Sequence, residues 1–164
     1  MARYSKVNNY TFVIFLITLL GLFHLDPSIA SAATPKPKEI KAPCRLEVSI
    51  AHLSTDLFEK SRIRAVKVDS SSICNVQQRN VTITVEIWKT GLLGNHLVLR
   101  KSITSSGATF PGARVNNFVT YVICKNRTNT SYYGVSYSKA FIEGKWQYAR
   151  HVLSREILPL RCGT

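Results

Sequence analysis

Acidic side chains are scarce in this sequence. Nine Asp and Glu stand against 22 Lys and Arg, a net charge of +13 over 164 residues. The carboxylates never cluster along the chain, so no pair is arranged for general acid–base work. No G-x-S-x-G, H-E-x-x-H, phosphate-cradling glycine loop or EF-hand pattern occurs, which removes the common hydrolase, nucleotide and calcium readings. Close cysteine pairs are missing as well. Of the four cysteines, the nearest two, Cys44 and Cys74, stand 30 positions apart, far from the C-x-x-C spacing of a zinc site. No metal or other cofactor is expected. Internal repeats and β–α–β alternation are also absent, which excludes solenoids and parallel sheets.

The one long apolar run is too short for a membrane span. It extends from Thr11 to Leu25, broken by Thr18, Gly21 and His24, and stops at Asp26-Pro27. A spanning helix needs about 20 predominantly apolar residues. Arg3 and Lys6 precede the run, and Ala30-Ser31-Ala32 follows as an A-x-A site with small side chains. This pattern predicts an export signal over residues 1–32, cleaved after Ala32. An uncleaved N-terminal anchor is the rival reading, and it fits the length and flanks less well. Cleavage removes Arg3, Lys6 and Asp26, leaving 20 basic and 8 acidic residues and a net charge of +12. No membrane-spanning segment is expected in the mature chain, which is long enough for one domain with a core.

Export changes the reading of Cys44, Cys74, Cys124 and Cys162. In an oxidising compartment an even number of cysteines reads as disulfides. Three connectivities are possible; Cys44–Cys74 with Cys124–Cys162 is favoured because each bridge then brackets one half of the domain. Loops of this size stabilise by about 3–4 kcal/mol per bridge on the chain-entropy model.

Residues 33–43, ATPKPKEIKAP, hold three prolines and three lysines around a lone Ile40. They read as a flexible tether, followed by a single all-β domain over residues 44–164. Period-two alternation is the dominant signal from Cys44 onward. Leu46, Val48 and Ile50 share one strand face. In VTITVEIW, Val81, Ile83, Val85 and Ile87 oppose Thr82, Thr84, Glu86 and Trp88. Gly91 and Gly94-Asn95 predict a five- or six-residue turn before HLVLRKSI. The loop SSGATFPGAR, the strand NNFVTYVIC and the loop KNRTNT follow. In SYYGVSYSKAF, Tyr133, Val135, Tyr137 and Phe141 form one face with Lys139, and Tyr133 and Tyr137 are assigned to the core. Residues 149–158 fit a short helix as well as a strand, and Pro159 argues for an edge strand. STDLFEKSR reads as one or two helical turns with Asp56 as cap. The fold class expected is an antiparallel β-sandwich, immunoglobulin-like or a small barrel, of about seven or eight strands.

Candidate binding residues come from the positive charge. Lys60, Arg62 and Arg64 in KSRIRAVK share a face if extended, a basic stripe of about 13 Å. Arg100-Lys101 and the Lys125 and Arg127 pair add smaller basic spots. Trp88 and Tyr132 are the candidate exposed aromatics, for stacking on sugars or bases. The function expected is non-enzymatic association with an anionic polymer or cell surface. A protein-binding module, using the SSGATFPGAR and KNRTNT loops, is the alternative. A secreted nuclease using His151 with Glu156 or Glu143 is a third reading, since a histidine, an arginine and a glutamate suffice for metal-independent RNA cleavage. Three N-x-S/T sequons occur after the leader, at Asn80, Asn126 and Asn129.

Overall fold

The computed structural model describes residues 43–164, so the expected export signal and nearly all of the expected tether lie outside the described residues. Strands β1 (Cys44–Val48) and β2 (His52–Leu53) lead to helix α1 (Thr55–Ser61) and strands β3 (Ala65–Lys67) and β4 (Ser70–Cys74). The hairpin of β5 (Arg79–Gly91) and β6 (Gly94–Ser105) comes next, then β7 (Arg114–Asn117) and β8 (Tyr121–Ile123). The chain ends in β9 (Asn126–Ile142), β10 (Lys145–Leu153) and β11 (Leu158–Gly163). One sheet has the order β10-β9-β5-β6, with β11 also paired to β9; β1-β4-β7 and β2-β3-β8 form two smaller sheets. Every pairing is antiparallel.

The alternation in β5 positions the core. Val81, Ile83, Val85 and Ile87 are fully buried and share one apolar cluster with Val66, Val68, Cys74, Val115 and Ile142. The opposite face of β5 is covered too, since Thr84 and Glu86 are also buried. Central strands lose solvent on both faces, and the polar side chains there must find partners.

Strand β9 turns over relative to the sequence expectation. Gly134, Ser136, Ala140 and Ile142 lie inward with Tyr132, whereas Tyr133 and Tyr137 are half-buried on the other face. Close packing is the reason. A Cβ on Gly134 would stand 2.5 Å from Val68 Cγ1 and 3.3 Å from Val48 Cγ2, so only a residue without a side chain lets these segments approach. Tyr132, expected to be exposed, is fully buried; its hydroxyl donates to the Cys162 carbonyl at 2.7 Å and so carries no unpaired polar group inward. Replacing Gly134 by valine is expected to lower stability by about 1–3 kcal/mol through overpacking. Thermal unfolding measures this, and an unchanged midpoint would mean the layers separate easily at this point.

Strand β4 supplies a second layer of small residues. Ser70, Ser71 and Ser72 are all buried, and their hydroxyls are satisfied: Ser70 by the Glu47 carbonyl and Ser136, Ser71 by Asn116 and Ser72 by Gln78. The three serines carry no apolar alternation, which is why the sequence pattern did not mark them as a strand.

The disulfides are Cys44–Cys74 and Cys124–Cys162, the pairing favoured from the sequence. Cys44 and Cys74 also face each other in the β1–β4 register. Several local expectations change. Ser54, not Asp56, caps α1, its hydroxyl accepting from the Leu57 amide at 3.3 Å. Gly91 pairs with Gly94, so Leu92-Leu93 alone makes the hairpin turn. NNFVTYVIC breaks into β7 and β8, which join different sheets. The break follows buried Asn117, which donates to the Ile83 carbonyl and accepts from Thr120. KNRTNT is mostly strand, because β11 pairs with the start of β9. Residues 149–153 complete β10 as strand, and Pro159 lies in β11, which among the described residues pairs with β9 alone. Among the described residues no helix is long and apolar enough to cross a membrane.

Candidate functional site

The basic residues singled out in the sequence do not converge. The Lys60–Arg62–Arg64 stripe is overturned, because this segment is not extended. Lys60 lies in α1 and pairs with Asp56 at 3.5 Å, while Arg62 is the left-handed C-cap at φ 57°, its guanidinium 5.7 Å over the Phe58 ring. Arg64 turns away and donates to the Arg161 carbonyl at 3.1 Å. Arg100 and Lys101 alternate along β6: Arg100 binds Glu86 on one face, and Lys101 stands 6.0 Å over Tyr121 on the other. Lys125 and Arg127 are exposed at the start of β9. Trp88 is half-buried, stacked on Tyr133 with centroids 6.2 Å apart.

A different set of residues gathers on the outer face of the large sheet. Register brings Thr84 opposite Tyr137, and Thr82 opposite Lys139, which in turn faces Tyr148 of β10. Between Ala149 and Val152 the β10 register shifts. Such a bulge re-aims side chains, and here it carries Arg150 and His151. His151 meets the Tyr137 ring edge-on at 4.6 Å. The result is an open groove of about 630 Å³ lined by Thr82, Thr84, Tyr137, Ser138, Lys139, Tyr148, Ala149, Arg150 and His151. Three lining residues are basic or imidazole, two are tyrosines, and no carboxylate is among them. Lys139 Nζ also lies 5.2 Å over the Trp146 ring, which extends the aromatic surface past Tyr148.

Glu86 lies on this same face of β5, next to Thr84 and beside the groove. It is only 5% exposed, yet it accepts from Arg100 Nε at 2.7 Å, Trp88 Nε1 at 2.7 Å and the Tyr137 hydroxyl at 3.4 Å. Its carboxylate raises the Arg100 guanidinium above its usual value, through the hydrogen bond first and charge second. Glu86 and His151 thus contact the same side chain, Tyr137, at its hydroxyl and at its ring. An acid inside the apolar VTITVEIW run was the available sequence signal for this hub. Lys139 and Arg150 carried no comparable signal, since their placement depends on cross-strand register and a bulge.

The proposed nuclease residues separate. His151 lines the groove, but Glu143 sits in the β9–β10 turn beside Arg79, and Glu156 follows β10; neither lines the groove. Among the described residues no three His, Cys, Asp or Glu side chains come together to hold a metal ion.

No protein-family model and no curated protein matches the sequence. The fold itself defines a class: an all-β antiparallel domain held by two disulfides, the chemistry of an oxidising, extracellular setting.

Proposed function

We propose that this chain is an exported β-domain of the sandwich type, without catalytic function, that binds an anionic polymer along the outer face of the large sheet. The observation that carries this reading is the groove lining, where Lys139, Arg150 and His151 stand beside Tyr137 and Tyr148 with no carboxylate among them. Ammonium and guanidinium groups pair with acidic groups of a polymer, while tyrosine faces stack on sugar rings or bases. The groove is open rather than enclosed, as a chain-like ligand requires. Glu86 has its carboxylate engaged by Arg100, Trp88 and Tyr137, so it is not a free base for cleavage chemistry. The leader expected over residues 1–32 supports export, and the exposed Lys125 and Arg127 add long-range attraction.

The test is binding of the oxidised protein to RNA, an acidic wall polymer and a sulfated polysaccharide across a salt series. One polymer is expected to stay bound at physiological salt. Lys139→Glu with Arg150→Glu should lower its affinity by tenfold or more and flatten the log K against log salt slope by about 1.4–1.8. Arg62→Glu should change little. Elution of all polymers together would refute a specific site, and cleavage of the bound polymer that vanishes in His151→Ala would replace binding by a nuclease.

A further inference from the structure

The tip of the β5–β6 hairpin carries an apolar pair that the fold does not use. Leu92 and Leu93 form the turn and are 107% and 97% exposed, so neither side chain touches the domain. Two-residue turns ordinarily take Gly, Asn or Asp. Here Gly94, at φ 121°, absorbs the unusual backbone conformation, which leaves the two leucines free of any conformational duty.

The residues behind the tip are graded in polarity. Lys89 faces His96 across the hairpin, and the next pair is Trp88 with the exposed Leu97. Lys89 Nζ donates to the Thr164 backbone oxygen at 3.2 Å. From Ile87 through Ile142 the sequence contains no Asp or Glu, while Arg100 and Lys101 follow along β6. At about 3.3 Å per residue, Lys89 and His96 lie roughly 10 Å behind the end of the hairpin. That distance matches the depth, about 5–10 Å, to which interfacial elements bury apolar side chains below lipid headgroups. Aromatic and basic residues belong at the headgroup level behind such a tip.

We propose that the Leu92–Leu93 tip inserts into the acyl boundary of an anionic lipid bilayer, with Lys89 and His96 at the headgroups. The order of apolar end, polar pair of Lys89 and His96, and aromatic Trp88 follows the layering of a bilayer surface. A convex two-residue protrusion has no concave wall to accept a partner's side chain. Lipid contact here goes beyond the polymer groove. Thr84, on the groove wall, lies eight residues from Leu92 along β5, about 26 Å away, so an inserted tip leaves the groove in water.

Sedimentation of the oxidised protein with vesicles of phosphatidylcholine, alone or with phosphatidylglycerol, tests the proposal. Binding is expected only to the anionic vesicles. Leu92→Ser with Leu93→Ser should weaken it about a hundredfold, from the loss of two buried leucines, without moving the unfolding midpoint. Equal binding by wild type and double variant would assign the contact to charge alone and overturn insertion. Failure of the wild-type protein to bind either vesicle would also overturn it. So would a wild-type dimer in sedimentation velocity that the double variant abolishes, since the tip would then seat in a second copy. Lys139→Glu with Arg150→Glu should leave vesicle binding intact, and the double serine variant should keep polymer binding, so the two readings fail separately.

Discussion

Replacing Cys124 and Cys162 together by serine is expected to lower stability by about 2–5 kcal/mol. The bridge closes 38 residues, only slightly more than the 30 of Cys44–Cys74, so loop entropy barely separates the two. Native contacts do. Cys44 and Cys74 belong to strands already held in register, whereas Cys124–Cys162 secures β11, a short strand whose ladder is formed with β9. Around it, the Cys124 amide donates to the Arg64 carbonyl at 2.9 Å and the Lys125 amide to the Gly163 carbonyl at 2.8 Å. The buried Tyr132 hydroxyl depends on the Cys162 carbonyl. If β11 frays, that hydroxyl is left unpaired inside the core, which adds about 1–3 kcal/mol. Denaturant unfolding of the double serine variant, set beside Cys44→Ser/Cys74→Ser, measures the difference. Equal losses from both variants would show that β11 stays docked through its ladder alone.

Glu86→Ala is expected to destabilise by about 2–3 kcal/mol and to weaken polymer binding, although Glu86 does not line the groove. Truncation leaves the Trp88 indole N–H without its acceptor and removes the acceptor of the Tyr137 hydroxyl. Arg100 contributes less to the loss, because its side chain is 57% exposed and can rehydrate. Glu86→Gln keeps one acceptor and the packing volume, so it should lose well under half of that stability and retain most of the affinity. Unfolding midpoints and polymer titrations of the two variants give both readouts. Full affinity in a destabilised Glu86→Ala protein would detach the groove from Glu86.

Much of this was legible before any coordinates. The alternation in VTITVEIW identified the central strand and its four core residues, because burial on one face of a pleated strand imposes period two. The cysteine spacing spoke against zinc and favoured the observed bridges. The candidate site was not legible in the same way. Thr82, Lys139 and Tyr148 are far apart in sequence and become neighbours only through the β5–β9 and β9–β10 registers. The helical turns read from STDLFEKSR are present, and the basic stripe failed because it required the same residues to be extended: Lys60 belongs to that helix and Arg62 to its left-handed cap.

The sequence by itself determined the strand-rich class, the positive charge, the disulfide chemistry and the two alternating faces of each long strand. These follow from local spacing and side-chain type. Only the tertiary structure decided which face of β9 turns inward. Tyr133 and Tyr137 are the more apolar set by composition, but Val68 and Val48 leave no room opposite Gly134 for a side chain. Steric fit against a distant segment overrode local hydrophobicity, and the tyrosine face was thereby turned outward to form the groove.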